Sequence, residues 1–241
     1  MMPNKDTVTI GILVYPGVDL LDIVAPREIF SWVADTWKSQ GTGTVGVYYI
    51  AHTTDPLRSR DGLQFSPDKT FDDPEVQELD LIWVPGGSPA VLADMLNKPD
   101  SPFFQYVTTV GGKAKYIASV CEGALLLANT GLLNGYKATT HWAFYPCMAA
   151  FSQVKLVPPS TVNGQLHYPR FVHDGNRVTG GGISSGLDEA LWLVTLLFGE
   201  EMAKEVQATM QYFPVPPVHG TLTQATCCPV PNWPQNPKPC E

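Results

Sequence analysis

Three apolar runs in this chain stop abruptly, each at a turn of glycine, proline or cysteine, and a helix-like stretch follows each one. Residues 8–15 are apolar and β-branched and break at Pro16-Gly17. Residues 79–84 form a continuous apolar run that ends at Pro85-Gly86-Gly87, and residues 116–120 end on Cys121-Glu122-Gly123. Continuous rather than alternating runs suit parallel strands covered on both faces. Strands alternating with helices over 241 residues predict one α/β domain with a mostly parallel sheet and a large core. Sites in such sheets gather outside the carboxyl ends of the strands, so the three turns are expected to converge on one crevice.

Further elements follow from the same pattern. Asp22 is placed to cap a helix running to Val33, with Pro26 tolerated in its first turn. A second strand is expected at 45–51, helices at 90–96, 103–110 and 122–129, a short strand at 137–140 and a helix near 142–151. Asp174-Gly175-Asn176 signals a hairpin. Gly180-Gly181-Gly182 reads as too flexible for regular structure, and Ser184-Ser185 as the cap of a helix at 187–198, before a last helix at 200–212. Pro214, Pro216 and Pro217 then open an extended tail without a core of its own, which divides the chain into a domain at 1–220 and a tail at 221–241.

Composition narrows the partners. The net charge is −8 and no cluster of Lys and Arg could neutralise phosphates, which argues against nucleic acid. The longest apolar run, 190–198, is about half of the roughly 18 residues that span a bilayer, and residues 1–6 are too short and polar for a secretory leader. Five cysteines are spaced neither as a disulfide framework nor as a zinc site, so a reduced, cytoplasmic protein without a metal is expected.

Cys121 is the candidate nucleophile. A reactive side chain at a sharp strand-to-helix turn is held out from the end of a sheet, and a following helix N-terminus favours negative charge there. A free cysteine after an apolar run is otherwise core filler. Asp22 reads either as a helix cap or as an acid for the site. The backbone N–H groups of Gly86, Gly87 and Glu122 could face an oxyanion; the plainer reading is a glycine turn. Tyr15, Trp83 and Trp142 are candidate pocket walls or simple core, and His141 a substrate-binding or packed histidine.

The ordered segments 15–22, 84–87 and 119–123 resemble the DJ-1/PfpI superfamily. Further segments at 131–135, 138–143, 174–182, 186–188 and 212–217 look most like its isonitrile hydratase branch. The resemblance covers roughly residues 7–220 and implies a flavodoxin-like α/β sandwich and a cofactor-independent enzyme. It also implies a homodimer acting on a small molecule, with Cys121 attacking an electrophilic carbon beside Asp22. Relatives of that branch usually carry Thr after the cysteine, whereas this chain has Glu122. An ionised carboxylate there would raise the thiol pKa. Glu122 either satisfies first-turn amides or serves as a second acid for a different substrate. The absence of His after the cysteine argues against the protease type, and the Pro-rich end leaves no DNA-binding segment of the kind found in related regulators. A non-enzymatic redox or ligand sensor through Cys121 is the remaining alternative.

Overall fold

The computed structural model describes residues 7–240; residues 1–6, read above as a polar lead-in, and residue 241 lie outside the described residues. Among the described residues, seven strands form the main sheet. They are β1 (Thr7–Leu13), β2 (Thr44–Ala51), β3 (Lys69–Thr70), β4 (Leu81–Val84), β5 (Tyr116–Ser119), β6 (Phe171–Asp174) and β7 (Arg177–Gly180). Their spatial order is β6-β7-β5-β4-β1-β2-β3, and every pair is parallel except the β6–β7 hairpin. This is the mostly parallel, flavodoxin-like architecture expected. Gly180 is an ordered, buried member of β7, so the glycine run begins inside regular structure rather than after it.

The chain leaves β1 for β2 on one side and returns to β4 on the other. That reversal opens a crevice between the carboxyl ends of β1 and β4. The two loops beyond these strands are tied together there. Asp19 N–H donates to Gly86 O at 3.1 Å, Ser88 N–H donates to Gly17 O at 3.0 Å, and Val18 pairs with Gly87 in an isolated antiparallel bridge.

Among the described residues six α-helices accompany the sheet: α1 (Leu20–Ser39), α2 (Pro89–Leu96), α3 (Pro102–Thr109), α4 (Gly123–Asn129), α5 (Ser185–Phe198) and α6 (Glu200–Thr209). Every residue of β4 is buried, as continuous apolar strands covered on both faces require. On α1 the stripe Ile23, Ile29, Phe30, Val33 and Trp37 follows helical spacing and is buried, with Trp37 meeting Phe198 of α5 edge-on at 5.1 Å. The expected helix at 142–151 is a 3-10 segment, Trp142–Ala150, which contains Pro146.

Three expectations change. α1 begins at Leu20, so Asp19 holds the cap position, Asp22 lies within the first turn and Pro26 lies inside the helix. Four of the five cysteines pair, Cys147 with Cys228 and Cys227 with Cys240, leaving Cys121 free. Spacing could not reveal this, because the partners come from the 3-10 segment and the tail, 81 residues apart. Disulfides persist in oxidising surroundings, which opposes the reduced protein expected. The tail is also not coreless: Cys228, Val230 and Trp233 are buried, and the Trp233 ring packs tilted at 5.7 Å from Phe151.

Candidate active site

Cys121 sits between β5 and α4 with φ 57°, the left-handed region that non-glycine residues enter only under constraint. Its N–H donates to Gly181 O at 2.8 Å and its carbonyl accepts from Thr140 Oγ1 at 2.9 Å. Gly123 completes the turn, since a Cβ there would stand 2.0 Å from Val84 O. The elbow inferred from sequence therefore exists, with glycine required by the close approach of β4 and α4.

Around the sulfur the fold gathers three acids. One donor atom each from Asp19, Asp22, Cys121 and Glu122 lie within 4.8 Å of one another, and all four residues are buried. Spacing along the sequence showed no metal pattern, yet this set could hold a metal ion, as thiolate and carboxylates are both ligand types. Asp19 belongs to the cluster and pairs with Arg60, a residue sequence reasoning missed.

Asp22 is held at both ends. Its Oδ2 accepts Gly86 N–H at 2.9 Å, while Oδ1 is buried without a partner. Its backbone carbonyl accepts the Trp83 indole N–H at 2.9 Å. Trp83 is thus a fully buried strut rather than a pocket wall. Burial, reinforced by the charge of Glu122, pushes the Asp22 carboxyl well above the usual carboxylate range, so Asp22 stands as a neutral acid.

Glu122 is raised by burial to about 7, against the pull of the Cys121 thiol and of the N–H groups of Gly87 and Glu122 itself. The Gly86 amide is engaged by Asp22, and the other two amides favour the Glu122 carboxylate. One expected oxyanion donor, the Gly86 amide, is therefore taken by the protein's own acid, while Glu122 Oε2 is buried without a hydrogen-bond partner. Burial, together with the charges of Asp22 and Glu122, pushes the Cys121 thiol well up, while the Ile183 backbone N–H favours the thiolate. At neutral pH Cys121 is a thiol whose proton faces Glu122.

Other residues singled out from sequence lie around this cluster. Tyr15 is buried and donates to Pro85 O at 2.9 Å, and its other side borders an apolar cavity of about 490 Å³ that includes Phe71, Val91 and Phe103. Cys121 and the acids do not line that cavity. His141 and Trp142 instead line a cavity of about 390 Å³ with Leu21, Tyr168, residues 182–185 and Leu222. Cys121 and the acids do not line this cavity either, but its lining residues Gly182 and Ile183 follow Gly181, whose carbonyl accepts the Cys121 N–H. His141 is driven toward the neutral form by burial, and its Nδ1 accepts Ala143 N–H at 3.3 Å.

Glu189 was also missed. It has no exposed surface and neither carboxylate oxygen has a partner in good hydrogen-bond geometry, and burial followed by the charge of Asp22 pushes its carboxyl well above the usual range against the nearby Ser119 N–H. The signal was present: Glu189 precedes Leu193 and Leu197 by one and two turns, on the buried stripe of α5.

Comparison with known proteins fits this geometry. The DJ-1/PfpI family matches residues 8–195. Isonitrile hydratase of Pseudomonas putida is 35% identical over 208 residues, covering 86% of this chain and 80% of that protein. The HTH-type transcriptional regulator GbdR of Pseudomonas aeruginosa is 28% identical over 152 residues, 63% of this chain but 37% of that protein. Among solved structures, a ThiJ/PfpI family protein from Pseudomonas syringae superposes with a TM-score of 0.72 at 32% identity, covering 88% of this chain and 78% of that one. With the elbow cysteine, the acids from two loops and the matched residues in agreement, this chain is a member of the DJ-1/PfpI family.

Proposed function

We propose that this protein is a cysteine-dependent hydratase that converts an isonitrile and water to an N-substituted formamide without a cofactor. The observation that carries this reading is the gathering of Asp22 and Glu122 around the Cys121 sulfur, with Asp22 already holding the Gly86 amide. Acyl transfer needs free N–H donors facing a developing oxyanion. Here Asp22 takes the Gly86 amide, and the amides of Gly87 and Glu122 favour the Glu122 carboxylate. The site is equipped to move protons instead, which is what hydration of an isonitrile carbon requires. The similarity to the Pseudomonas putida enzyme supports the same choice.

In this mechanism Glu122, near 7, accepts the Cys121 proton. The sulfur attacks the terminal carbon of R–N≡C, and neutral Asp22 protonates that carbon, giving a thioformimidate, R–N=CH–S–Cys121. Water then adds to the same carbon, losing a proton to the Asp22 carboxylate, while the nitrogen receives the proton held by Glu122. The carbon–sulfur bond breaks, the new hydroxyl loses its proton to the leaving sulfur, and R–NH–CHO departs with every group restored. Cys121 has no exposed surface, so the residues around it must part for substrate to reach the sulfur. Incubation of phenyl isonitrile with the enzyme in D₂O tests the reading: formanilide bearing deuterium on the formyl carbon is expected, and no formanilide above the enzyme-free rate contradicts it.

A second reading rests on Glu122 itself. Two buried acids, one neutral and one near 7, are suited to acid–base isomerisation, cyclisation or hydration of a larger metabolite. A redox-sensing role is disfavoured, because easily oxidised thiols are exposed and of low pKa, and Cys121 is neither.

A homodimer is proposed on the exposed stripe of α1, where Leu21, Val24 and Trp32 alternate with Glu28 and Asp35. No described helix is long and apolar enough to cross a membrane. A cytoplasmic location is the expectation from sequence, and the two disulfides favour oxidising surroundings instead.

A further inference from the structure

The C-terminal tail lies beyond residue 195, where the family match ends, and the mechanism above does not use it. It is nevertheless built with unusual firmness for a proline-rich segment. Cys147–Cys228 fastens it to the 3-10 segment that starts at Trp142, and Cys227–Cys240 closes its end. Asn236 Nδ2 donates to Val230 O at 2.8 Å, and Asn97 Nδ2 donates to Asn232 O at 3.1 Å, tying the tail to the end of α2.

Six residues before this staple, Leu222 forms an isolated antiparallel bridge with Leu166. Leu166 belongs to the strand Gln165–His167, which runs directly into Tyr168 of the 390 Å³ cavity. Leu222 lines that cavity as well, facing a space whose other apolar walls are Leu21, Trp142 and Ile183. A cavity of about 150 Å³ already holds benzene, so this one accepts a larger ring system.

We propose that the disulfide-stapled tail is the outer wall of the substrate cavity, and that Leu222 determines specificity by packing on a bulky apolar N-substituent. This rests on the hydratase reading for the identity of the substrate but not for the identity of the wall. The cavity adjoins the elbow, because its lining residues Gly182 and Ile183 directly follow Gly181, whose carbonyl accepts the Cys121 N–H at 2.8 Å. Leu222 does not touch the reacting atoms, so its effect belongs in KM for large substrates rather than in kcat.

The experiment compares methyl isonitrile with 2-naphthyl isonitrile on wild type, Leu222→Ala and Leu222→Trp. In Leu222→Ala, KM for the naphthyl substrate is expected to rise about tenfold while that for methyl isonitrile changes less than about twofold. Leu222→Trp, which fills the cavity, is expected to reject the naphthyl substrate and keep the methyl one. Reduction with tris(2-carboxyethyl)phosphine releases the staple and is expected to reproduce the Leu222→Ala shift, since Cys121 is already a thiol.

An unchanged naphthyl KM in Leu222→Ala, or equal shifts for both substrates, overturns the proposal. If wild type turns over neither isonitrile, the hydratase reading fails separately. The wall is then judged by calorimetric binding of N-(2-naphthyl)formamide to the Cys121→Ala protein. About tenfold weaker binding after adding Leu222→Ala sustains it; equal binding, or none, overturns it.

Discussion

Pro26 stands one helical turn after Asp22, and because proline has no N–H, the Asp22 carbonyl lacks its helical partner and accepts the Trp83 indole at 2.9 Å instead. A proline inside α1 thereby couples the acid loop to β4. Trp83→Phe leaves a buried carbonyl without a donor and is expected to cost about 1–3 kcal/mol. In a Pro26→Ala background the restored helical amide supplies the missing donor, so the cost of Trp83→Phe is expected to fall by at least half. Urea denaturation of the four proteins measures this coupling; strict additivity contradicts it.

Asp22→Asn keeps an acceptor for Gly86 N–H but removes the transferable proton. Turnover is expected to fall about 10²–10⁴-fold with little change in Tm. A loss of activity that merely follows loss of folded protein contradicts the role assigned to Asp22.

Glu122 gives two pH signatures. As the base, it is active when ionised, so kcat/KM is expected to rise with pH through about 7, and Glu122→Gln to abolish that limb along with most activity. Stability runs the other way. The folded-state value is raised from 4.5 to about 7, so between these values the native state binds more protons than the unfolded chain, and stability falls as pH rises through that window. The loss is on the order of 3 kcal/mol and is complete above pH 7. Glu122→Gln is therefore expected to raise Tm at pH 8 and to have little effect at pH 4.

The disulfides predict a thiol count. After denaturation without reductant, iodoacetamide is expected to label one cysteine, Cys121; after reduction it is expected to label five. In the native protein Cys121 is expected to react far more slowly, because it is buried and its thiol is raised. Loss of Cys147–Cys228, which spans 81 residues, is expected to cost roughly 4 kcal/mol, against roughly 3 for the 13-residue span of Cys227–Cys240. Intact and peptide mass spectrometry with denaturation curves checks all three.

The elbow was legible in the sequence because a strand-to-helix turn with glycine two residues after the cysteine leaves a local signature. The convergence of residues 15–22 and 84–87 on it followed from parallel topology alone. What stayed hidden depends on residues meeting across the fold. Asp22 looked like a cap because Asp is a favoured cap residue, but the helix starts at Leu20 and the Asp22 carboxylate meets Gly86 across the fold instead. The Gly86 amide looked free because nothing local shows that the Asp22 carboxylate would occupy it. Cys147 and Cys228 were unreadable as a pair because a folded tail, not a spacing, brings them together.

The most direct measurement of the central claim is the rate of formanilide production from phenyl isonitrile by wild type and by Cys121→Ala at equal folded concentration. Turnover by wild type that falls to the enzyme-free rate in the variant is the predicted result. Turnover in Cys121→Ala within about tenfold of wild type would contradict a cysteine-dependent hydration, because loss of the attacking atom should remove far more than that.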